Sequence, residues 1–213
     1  FHRIRQDAET GDLFVEPTEA EAAYCSRKAE LTGETVFAGN VTTEKEKAVL
    51  KTDQPELAAL LYDLPKTSGA FAVRAELEYS SEQEFGIALH TDEGMEQGYF
   101  LRIRPSQHLM AWDMWPRKEQ GMYQWQIDGD IPYQIETSRY IPKAEKYELL
   151  LIKEGDICVV YLNGKTALST RLYDHKGGKA GIYITQDEIK IQKLEILTSE
   201  LNEDRKDGAS GTR

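Results

Sequence analysis

The residues best suited to recognise a polar ligand concentrate between positions 90 and 117, in the stretches HTDEGMEQGYFLRIRP and AWDMWPR. Sugars are bound by aromatic faces and by planar polar groups that hydrogen-bond pairs of hydroxyls. The aromatic candidates are Tyr99, Trp112, Trp115 and Tyr123. The planar polar candidates are Asp92, Glu93, Arg102, Arg104, Asp113 and Arg117. This composition favours a carbohydrate site, and the alternative is a solvated strand face carrying Arg–carboxylate pairs of little energetic worth.

Strand alternation divides these residues between two faces. Side chains along a β-strand alternate with a period of two, so Arg102 and Arg104 share one face and Tyr99 lies on the other. Two arginines do not belong unpaired in an apolar core, so their face is predicted to be polar. By the same rule Trp112 and Trp115 point to opposite faces, and we predict that Trp112 is the one in the core.

Other chemistries find less support in the sequence. No nucleophile elbow, HExxH, P-loop or dinucleotide fingerprint occurs, and the four histidines lack ligand spacing. The loop DEGMEQ offers Asp92, Glu93 and Glu96 as oxygen ligands for calcium, but it lacks the EF-hand spacing, and a solvated hairpin loop is the alternative. No pair of carboxylates stands out as a catalytic pair. We therefore predict no cofactor, no metal and no catalysis by this chain alone.

The charge balance limits the partners. The chain has 213 residues, of which 37 are acidic and 26 basic, giving a net charge of −11. Nucleic acids and anionic membranes select basic surfaces, so neither is predicted as a partner. No apolar stretch is long enough to span a membrane and no signal peptide is present. Because the first residue is Phe1, we interpret the chain as a piece of a longer protein, which leaves cytoplasmic and secreted locations open.

The elements that must position these residues are almost all strands. FHRIRQ and LFVEP predict a hairpin, and PTEAEAAYCSRKAEL predicts a helix with a Thr18–Glu21 capping box that ends at Gly33. Beyond it, strands recur about every ten residues, a spacing typical of an antiparallel sandwich. The prediction is an all-β fold, a two-sheet antiparallel β-sandwich preceded by a short hairpin and one helix. Cys25 and Cys158 are predicted to be free, buried thiols.

A late hairpin, YLNGKTALSTRLYD, combines a tight turn with a polar exit strand. Asn163 and Gly164 suit a two-residue type I′ turn. On the exit strand Ser169 and Arg171 share one face while Leu168 lies on the other. The exit strand is therefore predicted to be half-buried, with one polar face.

Three segments carry a resemblance to a known family. DICVVYLNGKTALSTRLYD resembles the late hairpin of the C-terminal β-sandwich of glycoside hydrolase family 32, the invertases, levanases and inulinases. YFLRIRPSQHLMAWDMWPR is similar to that family's segment ending in DRWPR, with Met114 where arginine is frequent. The opening FHRIRQDAETGDLFVEPTEAEAAY resembles the hairpin and helix that leave the catalytic propeller. The resemblance covers residues 1 to about 197 and implies a concanavalin A-like jelly roll.

The resemblance also implies what is missing and what surrounds the chain. The family's catalytic aspartates and glutamate lie in an N-terminal propeller, in NDPNG, RDP and EC motifs that are absent here. We therefore expect a propeller-exit segment at 1–33, a non-catalytic sandwich module at 34–200 and a disordered tail at 201–213. The parent protein would be a β-fructofuranosidase-type glycoside hydrolase, whose N-terminal propeller is the expected partner domain.

Related fructan-binding modules hold a terminal fructose through acidic, arginine and tyrosine side chains. Carried onto this sequence, with Trp115 added from its aromatic character, the resemblance implies sugar-binding roles for Asp92, Glu93, Tyr99, Arg102, Asp113, Trp115 and Arg117. Met114 removes one polar partner from that set. Two hypotheses follow: a module that binds fructose-containing carbohydrate such as levan, inulin or sucrose, or a structural module that packs on the propeller or forms a dimer without a sugar site.

Overall fold

A computed structural model of the protein describes residues 2–44, 47–53, 55–66, 70–115 and 133–199. The predicted tail at 201–213 lies outside the described residues. Within the described ranges, no helix has both the length and the apolar character that crossing a membrane requires.

The described chain consists of short strands with one α-helix. The first part contains β1 (His2–Gln6), β2 (Leu13–Pro17), α1 (Glu19–Tyr24), β3 (Arg27–Lys28), β4 (Thr35–Phe37), β5 (Asn40–Glu44), β6 (Lys47–Thr52) and β7 (Ala58–Asp63). The middle contains β8 (Phe71–Glu78), β9 (Phe85–Thr91), β10 (Gly98–Arg104), a 3₁₀ turn (Pro105–Gln107), β11 (Leu109–Trp115), β12 (Tyr133–Gln134) and β13 (Arg139–Tyr140). The last part contains β14 (Lys146–Glu154), β15 (Ile157–Leu162), β16 (Thr166–Arg171), β17 (Lys179–Ile184) and β18 (Asp187–Thr198).

Apart from β1 and β2, which pair only with each other, these strands form two antiparallel sheets that pack face to face. The first sheet has the order β16-β15-β14-β8-β18-β6-β5, with β3 beside β18. The second has the order β12-β11-β10-β9-β17-β7-β4, with β13 beside β11. Each sheet interleaves strands from distant parts of the sequence, as in a jelly roll. The predicted all-β, two-sheet antiparallel sandwich is confirmed.

The core lies between the two sheets and follows the strand alternation. On β10, Tyr99, Leu101 and Ile103 are buried in the main cluster, where Trp112 is 0 % exposed. The prediction that Trp112 is the core tryptophan is confirmed. Alternate residues point away from the core, so the side chains of Arg102 and Arg104 lie on the outer face of the second sheet.

The N-terminal segment differs from the prediction after its first turn. Thr18 and Glu21 form the predicted capping box, with the Thr18 Oγ1 accepting the Glu21 N–H. The helix ends at Tyr24 rather than at Gly33, because Cys25 adopts an extended conformation and its side chain is buried. The chain then pairs as β3 with β18. Burying Cys25 and joining the sheet outweigh the helix propensity of the residues that follow.

The late hairpin contains a turn one residue longer than predicted. Leu162 pairs with Thr166, so Asn163 to Lys165 form the turn, and both Asn163 and Gly164 have positive φ. The Asn163 Oδ1 accepts the N–H of Glu148, 2.6 Å away, and ties the turn to the neighbouring strand. The exit strand β16 is half-buried as predicted, with Leu168 buried and Ser169 exposed.

Both cysteines are free and buried, as predicted. Cys158 lies in the main core, and burial raises the pKa of its thiol above the ordinary value. Burial and the nearby Glu154 raise the pKa of Cys25 to about 11. Neither thiol is therefore expected to ionise near neutral pH.

Candidate functional site

An ion-pair network on the outer face of the second sheet joins β10 and β11 to Glu84, the residue directly before β9. The Nε and Nη2 of Arg102 donate to the Glu84 Oε2 at 2.8 and 2.6 Å. The Nη1 of Arg102 donates to the Asp113 Oδ2 on the neighbouring strand. The Nε of Arg104 donates to the same Glu84 oxygen at 2.7 Å. We call Glu84, Arg102, Arg104 and Asp113 the outer-face network.

Strand pairing explains why these side chains meet. Arg102 and Arg104 lie two positions apart on β10, and therefore on one face. Arg102 stands opposite Ala111 on β11 and Gly86 on β9, whose side chains are small. A Cβ on Gly86 would come within 1.7 Å of the Leu101 carbonyl oxygen, so only glycine permits this close strand approach.

The network is electrically balanced and held in place. Two guanidinium groups face two carboxylates, so its formal charge is zero. Burial by itself would lower the pKa of Arg102, but the hydrogen bond and charge of Glu84, with help from Asp113, raise it above the ordinary value. The Arg102 side chain keeps 22 % of its surface exposed. A bidentate guanidinium fixed in this way can present its remaining N–H donors in a defined plane.

Two aromatic side chains, Tyr183 and Phe100, lie next to the network. The Tyr183 hydroxyl donates to the Glu84 Oε1 at 3.2 Å, and its ring packs edge-on against Phe100, with centroids 5.6 Å apart. Burial raises the pKa of Tyr183 well above its ordinary value, and the charge of Glu84 adds to the shift. Tyr183 therefore stays a neutral hydrogen-bond donor to Glu84.

The structure separates the predicted site residues into three places. Arg102 and Asp113 come together in the outer-face network. Tyr99 lies on the opposite face of β10, where its hydroxyl accepts the N–H groups of Asp174 and His175 at 2.7 and 3.2 Å. The structure thus does not bring Tyr99 to Arg102.

Asp92 and Glu93 lie in the loop between β9 and β10, at the other end of the sheet from Glu84. The Asp92 Oδ1 accepts the N–H of Glu96 at 2.8 Å, so this carboxylate stabilises its own turn. The Glu93 Oε1 lies 3.7 Å from the Nζ of Lys179. Within the described ranges, no three His, Cys, Asp or Glu side chains are grouped so that they could hold a metal ion.

The last two predicted residues belong to the end of β11 and the segment after it. The backbone of Trp115 pairs with Gly98, but its side chain is not among those the structure describes. Arg117 lies outside the described residues.

Sequence reasoning missed Glu84 and Tyr183. Glu84 directly precedes β9 and carries no local signal, because its role depends on the register of β9 against β10. Aligning EFGIALHT with GYFLRIRP as a hairpin would have placed Glu84 near the two arginines.

A second surface, here called the hairpin cleft, lies where the predicted polar exit strand meets the second sheet. It has a volume of about 560 Å³ and is lined by residues that include Tyr99, Glu136, Arg171, Tyr173 and Asp174. Tyr173 is 59 % exposed. The cleft offers an aromatic face and charged groups of both signs, and so it is a second place where a sugar could bind.

Comparison with sequences of known proteins identifies no relative. No protein-family model matches the chain, and no curated protein matches it.

Comparison with solved structures identifies shared architecture. The carbohydrate-binding module CBM66 from Bacillus subtilis matches with a TM-score of 0.61 at 15 % identity, over 81 % of this chain and 99 % of that chain. A β-fructofuranosidase from Aspergillus kawachii matches with a TM-score of 0.53 at 16 % identity, over 93 % of this chain and 33 % of that chain. A fructosyltransferase from A. japonicus matches with a TM-score of 0.52 at 15 % identity, over 93 % and 31 %.

These likenesses show a common fold. The chain is a β-sandwich of the kind found in CBM66 and in fructose-processing enzymes, as its sequence resemblance implies. It spans about a third of the length of the two enzymes. Which ligand or partner it has is a separate question, because one fold hosts many functions.

Proposed function

We propose that the chain is a non-catalytic β-sandwich module of a β-fructosidase-like glycoside hydrolase, and that it binds fructosyl sugars on its outer-face network. The sequence resemblance supports the fructosyl specificity, and the shared fold with CBM66 agrees with a binding role. The observation that carries the proposal is the network itself, in which Glu84 and Asp113 hold the partly exposed Arg102 in a fixed plane.

The chemistry of the network suits a neutral sugar. Partly exposed ion pairs contribute little to stability, so four charged side chains on one sheet face are poorly explained as fold stabilisation alone. A balanced set of guanidinium and carboxylate groups supplies both donors and acceptors, which pairs of hydroxyls require. Because the groups are already ordered, a ligand would not lose binding energy to ordering them.

Calorimetric titration with levan, inulin, sucrose and fructose tests the proposal. Arg102→Met should weaken binding at least about tenfold, because a hydrogen bond to a charged group contributes roughly 1.5–3 kcal/mol. The matched control is Arg171→Met, which removes an exposed arginine from the hairpin cleft instead. If Arg102→Met unfolds, Arg102→Lys replaces it in the titration. Lysine keeps the positive charge but lacks the planar guanidinium, so this variant should also bind sugar more weakly.

The pattern of binding among these variants decides which of the two surfaces, the outer-face network or the hairpin cleft, binds the sugar. Loss of binding in the Arg102 variants, with Arg171→Met unaffected, supports the outer-face network. The reverse pattern assigns binding to the hairpin cleft and rejects the network. Absence of heat with all four sugars at millimolar concentration rejects sugar binding altogether.

A second candidate function, docking onto a catalytic propeller, is favoured by the hairpin β1–β2. Ile4 and Leu13 are 68 % and 67 % exposed, although both are apolar. The register pairs Ile4 with Val15 and Gln6 with Leu13, so the two apolar side chains share one face of the hairpin. A neighbouring domain that covered this face would remove both from water.

Two contacts attach the hairpin β1–β2 to the sandwich. The Val15 N–H donates to the Lys165 carbonyl at 2.9 Å, and the His2 Nδ1 lies 2.9 Å from the Tyr161 hydroxyl. Co-purification of the chain with the catalytic propeller of its parent protein tests this function. Ile4→Ser with Leu13→Ser should abolish co-purification, and Val36→Ser, which alters an exposed apolar residue on β4, is the control. Separate elution of the two wild-type parts would reject docking.

A further inference from the structure

A large cleft opens at the end of the sandwich opposite the outer-face network. Its volume is about 910 Å³, within the range of roughly 300–1,000 Å³ typical of small-molecule sites. Its walls come from the ends of β7, β9 and β14 and from the glycine pair at 177–178. Glu84, which directly precedes β9, and His90, near the end of β9, are six positions apart, which separates the two surfaces by about 20 Å. We call it the end cleft.

His90 lines the end cleft and carries a buried, unpartnered acceptor. The residue is 5 % exposed, and its Nδ1 lies 2.8 Å from the carbonyl oxygen of Gly177. A carbonyl oxygen only accepts, so Nδ1 carries the hydrogen and Nε2 carries a lone pair. Among the residues the structure describes, none is placed to hydrogen-bond this buried Nε2.

The imidazole is neutral at physiological pH, which keeps Nε2 an acceptor. Burial lowers the pKa of His90 to about 4, against the opposing effect of the hydrogen bond to Gly177. The nearby charges of Lys153, His175 and Lys176 lower it further. A buried acceptor without a donor is costly, so its retention calls for an explanation.

Lys153 brings a partly exposed cationic donor to the same cleft. Its Nζ donates one hydrogen bond to the Gly155 carbonyl at 2.6 Å and lies 5.6 Å from the centroid of the Phe71 ring. The ring of His90 lies 6.0 Å from that centroid, so both groups adjoin Phe71. No described carboxylate lies within ion-pair distance of the Lys153 ammonium, which has three N–H groups to place.

The charge of the cleft indicates what it would hold. Three lysines and three acidic residues line it, namely Lys66, Lys153, Lys176, Glu30, Asp63 and Asp156. This balance does not favour phosphate or another anion. A hydroxyl group both donates and accepts, and two neighbouring hydroxyls can satisfy an imidazole nitrogen and an ammonium together.

We propose that the end cleft is a second ligand site, for a neutral polyhydroxylated compound, with the His90 Nε2 accepting from one hydroxyl and the Lys153 Nζ donating to another. The site does not depend on the proposed function of the outer-face network, because it shares no residue with it.

The test is an NMR titration of the full chain with sorbitol, fructose and glucose, up to roughly 100 mM, following the ring nitrogens of His90. We expect a saturable shift at Nε2 with at least one of the three. Lys153→Met keeps the aliphatic stem over Phe71 but removes the ammonium, and it should weaken this binding about tenfold or more. The control Lys190→Met changes an exposed lysine of β18 outside the cleft and should leave the affinity unchanged.

Two results would overturn the site: no saturable shift at His90 with any of the three compounds, or equal affinity in the wild type and Lys153→Met. If Lys153→Met fails to fold, His90→Asn takes its place, with the ring resonances of Phe71 and the lysine resonances of the cleft as the readout, and a saturable shift as large as that of the wild type would overturn the site. Arg102→Met distinguishes the two proposals, because it should weaken sugar binding at the outer face at least about tenfold while preserving the response of His90.

Discussion

The burial of neutral His90 predicts a specific dependence of stability on acid. Its pKa is lowered to about 4 in the folded chain, against an ordinary value of 6.5 that applies when the chain unfolds. Between these values the unfolded state binds a proton that the folded state does not, so stability falls as the pH falls. The stability that comes from keeping His90 neutral in the folded state is fully present above pH 6.5, and it is lost as the pH drops toward 4.

The magnitude follows from the two pKa values. The pKa of His90 is near 6.5 in the unfolded chain and near 4 in the folded chain. This difference should lower the free energy of unfolding by about 3 kcal/mol when the pH falls from 7 to 4. The 37 acidic side chains of the chain also contribute to its dependence on pH. A variant that lacks only the imidazole is therefore needed, so that their contribution cancels in the comparison.

His90→Asn provides that variant, because asparagine tolerates the positive φ of 56° found there. Urea unfolding at pH 7 and pH 4 gives the free energy of unfolding of both proteins. The wild type should lose about 3 kcal/mol more than His90→Asn over this interval.

His108→Asn is the matched control. His108 also has positive φ and a backbone carbonyl partner, but it is only half-buried. This variant should lose as much stability as the wild type does. Equal losses in the wild type and His90→Asn, or an NMR titration of folded His90 near 6.5, would refute the reasoning.

Three further predictions concern the network, the thiols and the sheet. Glu84→Gln removes the negative charge that the two arginines share and should lower the free energy of unfolding by about 1–3 kcal/mol in urea, less than for a fully buried pair because the site is partly exposed. Cys25 and Cys158 should resist a thiol-labelling reagent at pH 8 in the folded protein and react in urea, and rapid labelling without denaturant would contradict their burial. Gly86→Ala should destabilise by more than about 2 kcal/mol or prevent folding, whereas Gly94→Ala, where no atom lies closer than 3.5 Å to the added Cβ, should change stability by less than about 0.5 kcal/mol.

Much of the fold follows from local patterns in the sequence. Alternation placed Tyr99 and Trp112 inside and Arg102 outside, because burial acts on every second residue of a strand. The capping box at Thr18 was also predictable, since its donors and acceptors lie within four residues.

The remaining features depend on contacts that are distant in the sequence. The helix stops at Tyr24 because β18, some 170 positions later, offers β3 a partner. The pairing of Arg102 with Glu84 requires the register between β9 and β10, and the meeting of His90 with Lys153 and Gly177 requires both sheets. Neither cluster has a sequence motif, so composition pointed to a polar site without showing that Glu84 would meet Arg102.

One oxygen atom of Glu84 accepts hydrogen bonds from both Arg102 and Arg104. Glu84 therefore cannot change alone without cost during evolution, since its loss leaves Arg104 without this carboxylate and Arg102 with only Asp113. Homologues should keep all three residues or replace them together. An alignment of relatives in which Glu84 changes freely beside both arginines would show that selection does not treat them as one unit.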